Sequence, residues 1–228
     1  MSPNGDTGFL SEIVDGTLES YLANTPELVQ RALAVAAEAH SSQLRKDGIT
    51  AYIVHPRRCV MRAILAPHHF TDEEIAALAL HDVIEDTMWP FNFGGNPETN
   101  IRHQQMAKIF ELFGTEIAGI LWLLTKPTDK YYRRKIYMAS MRRVGPSVIA
   151  LKLIDGLDNL EDLPKIARTQ EDGEWVEDAK FASFFADKVE ADFLPLIDIL
   201  RMHGPYWENL ANWFETNYRR ALRMARSL

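Results

Sequence analysis

Three features of the sequence predict an all-α fold. Apolar residues recur at three- and four-residue spacing along most of the chain, as in Ile75 and Leu78 or Val148 and Leu151. Helix start signals precede those stretches, the clearest being Thr71-Asp72-Glu73-Glu74, with a hydroxyl for an orphan N–H and a carboxylate three residues on. Stop signals, such as Gly114 and Pro164, follow them. No repeat, coiled coil, Gly-rich nucleotide loop or zinc-finger spacing is present.

In order along the chain, residues 1–24 read as a loose lead-in with a short apolar segment from Phe9 to Val14. Thr25 is predicted to cap a helix whose first residue is Pro26, where a missing N–H does no harm, and which ends at His40 and Gln43. Residues 45–54 lack a helical period, contain Gly48, and read as a loop. Pro56 suits a first helical position, which makes His55 the expected N-cap, with its imidazole free to project. That helix stops near Pro67. The capped helix follows, and along it Ile75, Leu78, Asp82 and Glu85 form one stripe. A stripe that runs inward and turns acidic carries charge to a place where desolvation is costly unless a cation or partners compensate. His81 beside Asp82 suggests a metal.

Residues 88–100 form a loop rich in aromatics and breakers, which either packs onto the surface or closes over the site as a lid. Helices are predicted from Ile101 to Phe113 and from Glu116 to Leu124, and Tyr131 to Arg143 reads as helical and basic. Pro146 opens another helix, on which Val148, Leu151, Asp155, Asp158 and Asn159 share a face. Here too a core stripe turns acidic. After a polar loop through Gly173, two amphipathic helices are expected, at about 174–202, kinked at Pro195, and 205–227. They complete the core or form an oligomer.

With 228 residues and 46% hydrophobic content, the chain is read as one domain, 1–228, with a core at about 25–165 and the C-terminal helices at about 174–228. The opening residues lack the order of a signal peptide and no apolar run is long enough for a membrane span, so a soluble, cytoplasmic protein is expected. The lone Cys59 permits neither an internal disulfide nor a thiolate zinc site, and reads as helix packing. A net charge of −7 argues against nucleic-acid and membrane partners. A small polyanion remains feasible at local cations: Arg45-Lys46, or Lys126 through Lys135. Arg57-Arg58 reads as a solvated helix face.

Four segments together resemble a known family: His40-x-x-Gln43-x-Arg45-Lys46-x-Gly48, then Tyr52-Ile53-Val54-His55-Pro56, then His81-Asp82-x-x-Glu85-Asp86-Thr87, then Lys152-Leu153-x-Asp155-x-Leu157-x-Asn159. In order and spacing they are similar to the HD-domain hydrolases of the Rel/SpoT type, including small stand-alone alarmone hydrolases. The resemblance implies an HD-domain helical bundle with additional C-terminal helices. It implies a metal held by His55, His81, Asp82 and Asp155, a nitrogen and oxygen set that suits manganese, iron or zinc, with manganese favoured by the family and another divalent ion as the alternative. Glu85 and Asp86, one turn beyond the ligands, are the expected catalytic carboxylates, orienting or deprotonating the nucleophile. Arg45 and Lys46 are expected to hold the base and phosphates of the substrate, and Asn159 its sugar or phosphate end.

The implied reaction removes the 3′-pyrophosphate from guanosine tetra- or pentaphosphate (ppGpp, pppGpp), a purine nucleotide alarmone. The rival substrates are an adenine alarmone, NADPH or an ordinary nucleotide, since one fold serves many phosphate esters. A non-catalytic alarmone-binding or antitoxin-like protein is the rival outside the enzymes, and it predicts erosion of ligand residues that are intact here. Three positions depart from the pattern. Gly156 stands where the larger enzymes usually have Arg, Ala51 where Pro is common, and Asp158 where the long bifunctional enzymes have His.

Overall fold

The computed structural model describes residues 20, 22–90, 100–127, 136–163, 168–171, 174–177 and 179–227. The expected lead-in, most of the 88–100 loop and the cations from Lys130 to Lys135 lie outside them. The described elements are α1 (Glu27–Ala39), α2 (Val54–Leu65), α3 (Asp72–Leu80), α4 (Val83–Asp86), α5 (Asn100–Leu124), α6 (Met138–Met141), α7 (Pro146–Glu161), β1 (Arg168–Glu171), β2 (Glu174–Glu177), α8 (Ala179–Met202) and α9 (Pro205–Ala225). Among the described residues the fold is all-α apart from the two short antiparallel strands β1 and β2. None of the helices searched is long and apolar enough to cross a membrane.

Two helices form the centre. On α3, every residue from Ile75 to Leu80 is buried, and on α7 the buried set runs almost unbroken from Val148 to Leu160. A helix that is apolar on all sides can only be satisfied by neighbours on all sides. Helices α1, α2, α5 and α7 pack on α3, while α8 and α9 pack on α7 and on each other. The ionisable side chains that follow α3, His81 and Asp82, and those that α7 carries, Asp155 and Asp158, are therefore placed inside the molecule.

Local signals held where the chemistry was local. Thr71 accepts from the Glu74 N–H and the Glu74 carboxylate accepts from the Thr71 N–H, completing the capping box. Gly114, at φ 83°, breaks α5 at the expected place, and Pro146 opens α7 after Gly145. Other boundaries differ. Helix α1 starts at Glu27 with Pro26 as its N-cap, because the Thr25 hydroxyl donates backwards to the Leu22 carbonyl at 2.7 Å. His55 lies in the first turn of α2 and is not its cap, which is Ile53. The single stripe expected from Ile75 to Glu85 is broken into α3 and α4. The Leu78 carbonyl that would accept from the Asp82 N–H is taken by both His81 N–H groups, backbone at 3.4 Å and ring Nδ1 at 2.7 Å. The helix expected from residue 174 begins only at Ala179, after β2.

Gly156 explains how α8 sits on α7. A Cβ at this position would collide with the Phe193 ring of α8 and with the Tyr218 hydroxyl of α9. The hydroxyl is buried and donates to the Leu153 carbonyl at 2.7 Å, so it has nowhere to retreat. Gly156→Ala is expected to lower stability by about 1–3 kcal/mol, as overpacking of a filled core does. In a thermal melt this corresponds to a fall of roughly 2–12 °C for a chain of this size. An unchanged melting temperature would show that the Phe193 contact is slack.

Candidate metal centre

Four predicted ligands converge. His81 and Asp82 come from the turn after α3, His55 from the first turn of α2, and Asp155 from the middle of α7. The imidazole Nε2 atoms of His55 and His81 are 3.2 Å apart. Asp82 Oδ2 lies 3.4 Å from the first and 3.1 Å from the second, and Asp155 Oδ1 lies 3.3 and 3.5 Å from them. Neighbouring ligands on a small divalent ion with bonds of about 2.1 Å are separated by roughly 3.0–3.4 Å, so these spacings fit. All four side chains are buried.

The outward atoms of both rings are already committed. His81 Nδ1 faces the Leu78 carbonyl, and His55 Nδ1 lies 2.7 Å from Asp158 Oδ2. Each partner holds the ring proton on Nδ1 and turns the Nε2 lone pair inward, the usual outer support of a metal-bound histidine. Two imidazole lone pairs and the Asp82 carboxylate, all within 4.8 Å of one another, with Asp155 Oδ1 beside both rings, demand positive charge between them. Burial alone would push His81 down, yet Asp82 and Asp155 carry it up to about 10. His55 is likewise raised against burial by its carboxylate neighbours, and Asp82 and Asp155 are held well below the usual carboxylate range. A divalent cation supplies the same charge, and the donor set suits one.

The supporting shell was mostly missed from sequence. Lys152 is buried on α7 and its ammonium lies 2.6 Å from Asp155 Oδ2. Tyr52 places its hydroxyl 2.8 Å from both Asp82 Oδ2 and Asp86 Oδ2, with its ring stacked on His40. Asp158, the departure from the family pattern, is the charge that anchors His55. Arg58 grips it with three hydrogen bonds, at 2.8, 2.9 and 3.2 Å, and Arg62 adds a fourth at 3.2 Å. Arg58 is thus a half-buried structural cation, where a solvated face was expected. A lone Arg pair on a helix carries no signal of a partner a hundred residues away.

A cavity of about 610 Å³ opens beside the centre. Asp82 and Asp155 line it, as do Glu85, Asp86, Arg45, Lys46 and Asn159, so every predicted site residue but the two histidines reaches its wall. Lys126 and Lys152 add two cations. Glu85 accepts from the Lys126 backbone N–H and, at 3.0 Å, from its ammonium. Arg45 is fixed in a tight loop: its N–H donates to the Thr50 carbonyl, Gly48 turns at φ 70°, and the Asp47 carboxylate caps residues 49 and 50. Its guanidinium donates to Asp162 and Asn159 and lies over the Tyr52 ring. Asn159 bridges inward, its amide donating to Asp155 Oδ1 at 2.7 Å. In this structure Asn159 joins the basic loop to Asp155, a predicted ligand.

No protein-family model matches the chain. It is 33% identical over 170 residues to guanosine-3′,5′-bis(diphosphate) 3′-pyrophosphohydrolase of Aquifex aeolicus (strain VF5), an alignment covering 72% of this chain and 21% of that protein. It is 30% identical over 166 residues to the bifunctional (p)ppGpp synthase/hydrolase SpoT of Escherichia coli (strain K12), covering 68% and 21% respectively. The chain therefore spans about a fifth of the length of these curated relatives. Among solved structures it shares its fold with one described as a metazoan ortholog of SpoT that hydrolyzes ppGpp and plays a role in starvation responses. The TM-score is 0.60 at 23% identity, over 86% of this chain and 96% of that one.

Proposed function

We propose, since this chain is a relative of the Rel/SpoT-type pyrophosphohydrolases, that it hydrolyses the 3′-pyrophosphate of guanosine tetra- or pentaphosphate, giving GDP or GTP and pyrophosphate. The observation that carries this reading is the convergence of two imidazoles and two carboxylates beside a cavity that the two carboxylates line together with the cations Arg45, Lys46, Lys126, Lys152 and Lys188. The ion, which we take to be manganese, supplies a Lewis acid for a phosphate oxygen and for the attacking water.

His55, His81, Asp82 and Asp155 would hold that ion, oriented by Asp158, the Leu78 carbonyl, Lys152 and Asn159. Arg45, Lys46, Lys126 and Lys152 offset the charge of the pyrophosphate, the guanidinium through a planar fork and the ammoniums as point charges. Water adds to the phosphorus borne by the ribose 3′ oxygen, the P–O3′ bond breaks, and the 3′ hydroxyl is restored as pyrophosphate leaves. Glu85 and Asp86 reach the cavity from α4 and are the carboxylates available to orient the water and accept its proton. The working unit is the whole of 1–228 as one HD-type domain, because α8 and α9 pack on the helix that carries Asp155.

Incubating the protein and excess manganese with a panel of guanine and adenine nucleotides, followed by mass spectrometry of the products, tests the reading. Guanosine tetraphosphate is expected to yield GDP and pyrophosphate. Release of pyrophosphate from none of the panel, with metal bound, would overturn it.

A further inference from the structure

The cavity has a second wall that this reaction leaves without a task. Phe185, Lys188, Val189, Asp192 and Phe193 recur at three- and four-residue spacing on α8 and all face the cavity. Such a stripe on a packed helix is ordinarily apolar. Here two charges interrupt it, the exposed Lys188 and the half-buried carboxylate of Asp192. The other acids around the cavity are each engaged, Asp82 and Asp155 with the histidines, Glu85 with Lys126 and Asp86 with Tyr52. Asp192 has no hydrogen bond or ion pair with any described residue.

A free carboxylate repels phosphate, so Asp192 must face the end of a nucleotide that donates hydrogen bonds. Its neighbours on the stripe, Phe193 and Val189, are apolar and suit the flat face of a base better than a ribose. Among purines, guanine offers two parallel donors, N1–H and the 2-amino group, which match the two oxygens of one carboxylate. Adenine offers one donor beside a ring nitrogen whose lone pair opposes a carboxylate. We propose that Asp192 reads this edge of guanine, with the apolar residues of α8 as its platform, and so determines which purine the cavity accepts. The inference rests on the purine-nucleotide reading above.

The test measures binding and chemistry separately. Calorimetric titration of the protein, in excess manganese, with GDP, inosine diphosphate, ADP and xanthosine diphosphate reports on the base alone. GDP is expected to bind at least about tenfold more tightly than inosine diphosphate, which lacks the 2-amino group, as follows from one hydrogen bond to a charged acceptor. Asp192→Ala should erase that margin. Asp192→Asn should move the preference to xanthosine diphosphate, because an amide accepts from N1–H and donates to the 2-oxo group, a gain that misfolding cannot mimic. Equal affinities for GDP and inosine diphosphate in the unsubstituted protein, or an unaltered ratio in both variants, would overturn the assignment. Pyrophosphate release from guanosine tetraphosphate, followed separately, tests the reaction. Release without a guanine preference sinks only the role of Asp192, a preference without release sinks only the reaction, and no nucleotide binding sinks both.

Discussion

The variant combining His81→Ala with Asp155→Asn is expected to hold less than about a tenth of an equivalent of divalent metal, against about one for the unsubstituted protein. Loss of an outer partner of a metal-bound histidine already costs roughly 10–100-fold in affinity. Removing two of four direct donors, one from the turn after α3 and one from α7, must cost more. Asparagine is chosen at position 155 because it keeps an oxygen for the Lys152 ammonium, 2.6 Å away in the structure, and so avoids leaving a buried cation unpaired. Elemental analysis after gel filtration gives the metal content, and a thermal melt shows whether the fold persists. A stoichiometric ion retained by a folded variant would mean that the ligand set has been misassigned.

Glu85→Gln and Asp86→Asn keep shape and remove charge, and at least one is expected to lower turnover by about a hundredfold or more while metal content stays unchanged. The two carboxylates are held differently. Glu85 is fastened to Lys126 from two sides, which orients it but engages both oxygens. Asp86 is exposed and shares the Tyr52 hydroxyl with Asp82, which brings it near the metal centre without tying both of its oxygens. Steady-state kinetics on guanosine tetraphosphate, with parallel metal and binding measurements, separate a catalytic role from a structural one. If the unsubstituted protein turns over and both variants match it, the proton acceptor lies elsewhere in the cavity.

What could be read from the sequence follows the range of the interactions concerned. The capping box at Thr71 and Glu74, the break at Gly114 and the start at Pro146 are each decided within four residues, and all three were legible. The convergence of the four predicted ligands was legible for another reason, since order and spacing survive where the distances that join them do not show. Thr25 failed as a cap because its hydroxyl had a competing carbonyl three residues back. The stripe through Asp82 failed as one helix because a ring nitrogen at His81 competes for the Leu78 carbonyl. Arg58 gave no signal, because a cation on α2 reveals its carboxylate on α7 only after the two helices have met. Phe193 and Gly156 form one contact from two unremarkable positions, and only the packing of α8 on α7 makes the missing side chain intelligible.

The recessed placement of two of the cavity cations, Arg45 and Lys152, bears on how ionic strength acts. The side chains of Arg45 and Lys152 expose only 7% and 3% of their surface, whereas the chain as a whole carries a net charge of −7. An approaching polyanion meets the repulsive field of the whole molecule first. The attraction of the buried cations takes over only inside the screening length, about 8 Å at physiological salt. Dissolved ions damp the outer field far more than contacts sealed within the protein. Moderate salt therefore weakens the pull of these two cations less than it weakens the long-range repulsion, while the exposed Lys46 and Lys188 that also line the cavity are screened like any surface charge.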